Sequence, residues 1–95
     1  MSRYNYFSVV SVVSATFPDD PQAVFGFISD GFAFLNRGAS VIEYSFDGTT
    51  VHGDLNPADT TKGLSFGGRV EDKVWFRVPA GASTVRVEAW GMWGR

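Results

Sequence analysis

Ninety-five residues, 44% of them hydrophobic, leave room for one domain and one core. The chain has no Cys, which excludes disulfides and thiolate metal sites, so its stability must come from burial within the chain or against partner subunits. Eight Lys and Arg against ten Asp and Glu give a net charge of −2 with the basic residues scattered, a pattern that argues against a nucleic-acid partner.

The chain opens on Tyr4-Asn5-Tyr6-Phe7-Ser8-Val9-Val10-Ser11-Val12-Val13, an extended run with apolar residues on both faces and no charge. Such a run needs cover on both sides, either as the central strand of a sheet or as an arm that pairs with a neighbouring subunit. Pro18 and Pro21 bracket Asp19-Asp20 and break the chain after it. The sequence therefore divides into 1–20, an extended N-terminal strand or arm, and 21–95, the domain proper.

From there the hydrophobic period is two nearly everywhere, which predicts half-buried strands and no helix. Ser29-Asp30-Gly31 separates 23–28 from 32–35, and Asn36-Arg37-Gly38 separates that run from 41–46, both with Gly available for a turn. Asp47-Gly48-Thr49-Thr50 leads to 51–55, and a short strand at 63–66 stops at Gly67-Gly68. Residues 73–78 and 84–90 are the last two strands, joined by Pro79-Ala80-Gly81-Ala82. The expected fold is all-β: a small antiparallel β-sandwich or jelly-roll-like barrel of about seven to eight strands, connected as a meander or Greek key.

Little in the sequence points to catalysis. The one histidine, His52, has Asp54 two residues on, on the same face of a strand, yet no Ser or Thr is presented on a sharp turn as a nucleophile. A structural His is the better reading, and the chain is expected to be no enzyme and to need no cofactor. Most carboxylates fall at turns, where Asp bonds its own backbone, and no calcium-loop spacing is present. Gly67-Gly68-Arg69 lacks the Lys-Ser/Thr and the helix of a phosphate loop, so it is a bulge or a turn. No stretch approaches the roughly 18 apolar residues of a membrane span, and the N-terminus carries no export pattern, so the expected location is the cytoplasm with no membrane partner.

The aromatics are the rich constellation, at 16% of the chain. Phe25, Phe27, Phe32 and Phe34 should share a core face across one turn. Trp75 and Phe76 are adjacent, so one of them should face outward unless both sheet faces are covered. With Tyr4, Tyr6, Phe7, Trp90 and Trp93, and with Arg77 and Arg86 beside them, Trp75 makes a candidate interface, because Trp, Tyr and Arg carry most contact energy. Arg69 flanks the same strands. A glycan platform on Trp75, Trp90 or Trp93, as in a carbohydrate-binding module, is the alternative.

The pattern Gly31-Phe32-Ala33-Phe34-Leu35-Asn36-Arg37-Gly38, then Ile42-Glu43-Tyr44-Ser45-Phe46-Asp47-Gly48, then Val74-Trp75-Phe76-Arg77 and Val85-Arg86-Val87-Glu88-Ala89-Trp90 resembles small accessory virion proteins of tailed bacteriophages. The resemblance covers about residues 23–90. It implies a homo-oligomer that binds major capsid or tail subunits, as a cement or decoration protein in preference to a neck or tail component, assembled in the host cytoplasm and located in the virion.

Overall fold

The computed structural model of the protein describes residues 4–57, 64–91 and 93–94, with side chains for all but 64–69 and 93–94. Seven strands lie among the described residues: β1 (Tyr4–Val12), β2 (Ala23–Asn36), β3 (Ile42–Ser45), β4 (Gly53–Leu55), β5 (Leu64–Arg77), β6 (Ser83–Gly91) and β7 (Trp93–Gly94). Six of them form one antiparallel sheet in the order β1-β6-β2-β5-β3-β4, and β7 pairs with β2. The fold is all-β, without an α-helix among the described residues.

Two turns expected from the sequence are bends within strands. β2 runs unbroken through Ser29-Asp30-Gly31, and its pairing with β5 shifts register there. Buried positions alternate through Ala23, Phe25, Phe27 and Ser29, then two neighbours, Gly31 and Phe32, are buried together, and alternation resumes on even numbers with Phe34 and Asn36. The bulge thus switches parity, which is how Phe25 and Phe27 before it and Phe32 and Phe34 after it all reach the core. The Ser29 hydroxyl holds the kink: it lies 2.7 Å from the Gly31 carbonyl and 2.8 Å from that of Trp90, and it accepts the Gly31 N–H at 3.3 Å. Gly67 sits opposite Gly31 on β5, which likewise continues through Gly67-Gly68, so that the short strand expected at 63–66 and the one at 73–78 are a single strand.

The consecutive-hairpin reading also gives way. Only β3 and β4 are neighbours both in the chain and in the sheet, whereas the first strand pairs with the sixth along its whole length, from Tyr4 opposite Gly91 to Val12 opposite Ser83. β1 is therefore not a central strand: it lies at the edge of the sheet.

The core is aromatic. Phe34 is packed against Tyr44 and Phe76 edge to face, at centroid separations of 5.5 and 5.2 Å, and Phe32 meets Phe46 at 5.6 Å. Full burial of each such ring stabilises the fold by roughly 1.5–3 kcal/mol. β6 supplies the aliphatic floor, with Val85, Val87 and Ala89 buried at every second position. Two side chains finish the ladders where strands end. Asn36 donates to the carbonyls of Ser40 and Leu55 and accepts from Gly38 N–H and the Ser83 hydroxyl, so both of its donors and both acceptor sites are used. Gln22 exchanges two hydrogen bonds with the backbone of Phe76, standing in for a strand residue just before β2.

Candidate functional site: the outer face of the edge strand

The register of β1, β6 and β2 fixes which side chains share the solvent face. Opposite Phe7 lies Glu88 and then Ala33; opposite Val9 lies Arg86 and then Leu35; opposite Asn5 lies Trp90 and then Gly31. These three rows form a patch in which Phe7, Val9, Ala33, Leu35 and Trp90 surround one ion pair. Arg86 Nη2 sits 2.7 Å from Glu88 Oε1, and its guanidinium carbon lies 5.3 Å from the Phe7 ring centroid. So exposed a pair contributes little to stability, but it fixes the guanidinium beside the ring.

Phe7 is 60% exposed and Val9 49% on the edge strand, and Val13, just past its end, is 74% exposed, an unusual run of large apolar side chains in the open. Trp90 is half-buried, and its indole lies over Gly31: a Cβ there would run into the indole nitrogen. Glycine is required at position 31 for that close approach.

Of the residues marked from the sequence, Phe7, Arg86 and Trp90 come together on this face. Tyr4 and Tyr6 sit on the other side of β1, where Tyr4 stacks on Phe27 at 5.6 Å and Tyr6 meets Phe25 at 5.2 Å with the rings tilted. They link the edge strand to the core, with Tyr4 partly exposed. Arg77 lies away from the patch, bonded to Glu43 at 2.7 Å and placed over Phe17 at 4.6 Å. Trp75 does not face solvent. Only 8% of it is exposed and Phe76 is fully buried, because the loop at Gly48, whose φ of 85° suits glycine, folds over the indole. The backbone of Trp93 pairs with Ile28, and its side chain is outside the described residues, as is that of Arg69.

Val9 and Val13 were not singled out from the sequence as contact residues. The signal for them was the apolar character of both faces of 4–13, which does not by itself say which face stays open. Val24, Ile28 and Val70 are also exposed. Ile28 and Val70 share a shallow depression of about 200 Å³ with Glu71 and Asp72, smaller than the roughly 300 Å³ at which ligand pockets begin.

His52 serves the β3–β4 hairpin. Its Nδ1 accepts the Phe46 N–H at 3.0 Å, which puts the ring hydrogen on Nε2, and its ring packs on Phe46 at 5.2 Å. Asp47 holds the same hairpin. Its carboxylate accepts the N–H groups of Thr50 at 2.7 Å and Thr49 at 2.8 Å and the Ser45 hydroxyl at 2.9 Å. The Thr50 bond first, then that of Thr49, keeps its pKa well below the usual carboxylate range. Among the described residues no three His, Asp or Glu side chains gather into a group able to hold a metal ion. The chain matches no protein-family profile and no curated protein.

Proposed function

We propose that this protein is a non-enzymatic assembly protein that works by self-association and by docking on larger protein subunits through the outer face and edge of β1. The observation that carries this reading is the exposed pair Phe7 and Val9 on an uncharged edge strand, followed just past its end by exposed Val13, beside the Arg86–Glu88 pair and Trp90. Such a patch gains from being covered, and left open it invites aggregation. Arg86 held against Phe7 and half-buried Trp90 are residue types that anchor protein interfaces. The resemblance to accessory virion proteins supplies the setting: a homo-oligomeric cement or decoration protein on a phage capsid, in preference to a neck or tail component.

The same reading takes the sheet as a small two-layer sandwich folded at the β2 bulge. The ring contacts of Tyr4 with Phe27 and of Tyr6 with Phe25 support this, because they bring the edge strand over the first half of β2.

One observation favours a second reading. The Trp90 indole lies over Gly31, with Glu88 next to it on the same face of β6, an aromatic surface with a polar group beside it that suits a sugar ring. Light scattering across a dilution series separates the two. A persistent oligomer supports assembly, whereas a monomer at every concentration that is retained on a glycan array through Trp90 supports carbohydrate binding and overturns it.

A further inference from the structure

The two ends of the sheet are built differently. The β4 edge is three residues long, carries Asp54 and is followed by Pro57, all devices that discourage strand addition. The β1 edge is nine residues long and has no charge, no Pro and no Gly from Tyr4 to Val12. Its pairing with β6 is continuous, without a bulge to twist it away. Among the described residues no strand pairs with its other side.

The order of apolar and polar residues along β1 reads the same in both directions. Tyr4-Asn5-Tyr6-Phe7-Ser8-Val9-Val10-Ser11-Val12 is symmetric about Ser8. A second copy laid antiparallel on this edge, with the twofold axis at Ser8, puts Phe7 opposite Val9, Tyr6 opposite Val10, Asn5 opposite Ser11 and Tyr4 opposite Val12. Every apolar residue then meets an apolar one and every polar residue a polar one. Faces agree as well: Phe7 and Val9 are both on the solvent side, and Tyr6 and Val10 both on the core side. Shifting the axis to residue 7 sets Tyr6 against Ser8 and Asn5 against Val9. Shifting it to residue 9 sets Ser8 against Val10 and Phe7 against Ser11. Odd shifts put core-side against solvent-side residues and fail outright.

We propose that the partner of the β1 edge is the β1 edge of a second copy of this chain, paired antiparallel with the twofold axis at Ser8, so that two six-strand sheets join into one. The interface is isologous, supplies roughly one inter-chain hydrogen bond per residue, and covers Phe7 and Val9 of both copies. This rests on the assembly reading above and names its self-contact.

The test is a pair of single-cysteine variants of the full chain, which has no other Cys, together with Val9→Lys. Ser8→Cys places the two sulfurs on the axis, within disulfide reach, whereas Ser11→Cys places them about 20 Å apart. Mild oxidation is expected to cross-link Ser8→Cys to a dimer and to leave Ser11→Cys uncross-linked. Val9→Lys, at an exposed position, is expected to leave near-UV circular dichroism unchanged and to raise the dimer dissociation constant at least tenfold by light scattering. An oligomer that persists in Val9→Lys, with no cross-link at position 8, overturns this interface while leaving the assembly reading standing. A wild-type monomer at all concentrations overturns both.

Discussion

Removing the Asn36 amide tests how much one side chain holds the end of the sheet together. Asn36 is 3% exposed and bonds four partners: the Ser40 carbonyl at 2.7 Å, the Leu55 carbonyl at 2.9 Å, the Gly38 N–H at 3.0 Å and the Ser83 hydroxyl at 2.6 Å. It thereby ties the end of β2 to the following turn, to β4 and to the start of β6. In Asn36→Ala the buried Leu55 carbonyl loses this bond, at a cost of about 1–3 kcal/mol for a group left unsatisfied. The Ser83 hydroxyl can rotate toward another acceptor, and Ser40 and Gly38 lie near solvent, so these three together add about 1 kcal/mol. The expected loss is about 3 kcal/mol, a fall in Tm of roughly 12–24 °C for a domain of this size. Urea denaturation measures it directly. Ser83→Ala, which removes one bond of the four, should cost about 1 kcal/mol, and the double variant should lose less than the sum, because the two share a bond. A loss below about 1 kcal/mol in Asn36→Ala, or strict additivity with Ser83→Ala, would refute the network account.

Three further outcomes follow from other contacts. Gly31→Ala should displace the Trp90 indole, cost about 1–3 kcal/mol, and red-shift tryptophan emission; a shift that survives in a Trp90→Phe background would place its origin elsewhere. Gln22→Ala removes two bonds to the Phe76 backbone and should cost about 1–2 kcal/mol by thermal denaturation, with an unchanged Tm counting against its role as a strand surrogate. Asp47 has a depressed pKa in the folded chain, so its charge adds stability above the unfolded-state value near about 4, and that gain disappears as pH falls below it. The stability gap between wild type and Asp47→Asn should therefore be larger at pH 7 than at about pH 3, and a gap independent of pH would contradict the hydrogen-bonded carboxylate.

The strands with strict alternation were legible. β6 lies where Thr84-Val85-Arg86-Val87-Glu88-Ala89-Trp90 exchanges faces, and β3 where Ile42-Glu43-Tyr44-Ser45 does. The two long strands were not, because a glycine that permits a bulge and one that permits a turn leave the same mark in a sequence. Only the parity of Phe25 and Phe27 against Phe32 and Phe34 distinguishes them: an odd number of inserted positions in a continuous strand brings both pairs to one side. Adjacent Trp75 and Phe76 require cover on both faces if neither is to be exposed, and the loop at Gly48 supplies it for Trp75, a cover that alternation along one strand does not reveal. For the candidate site, Phe7, Arg86 and Trp90 were visible as types, yet their meeting on one face depends on the β1–β6 pairing, which spans almost the whole chain and has no local signal.

That same pairing sets the order of events during synthesis. Tyr4–Val12 is made first, and its partner Ser83–Gly91 follows only after some seventy further residues, which at ribosomal speeds is a wait on the order of 10 s. Throughout that interval the most aggregation-prone strand of the molecule has no ladder to join. Nascent chains on one messenger can therefore meet through it before any of them has folded, and yield in cells should respond to translation rate and chaperone supply more steeply than the stability of the finished fold would suggest.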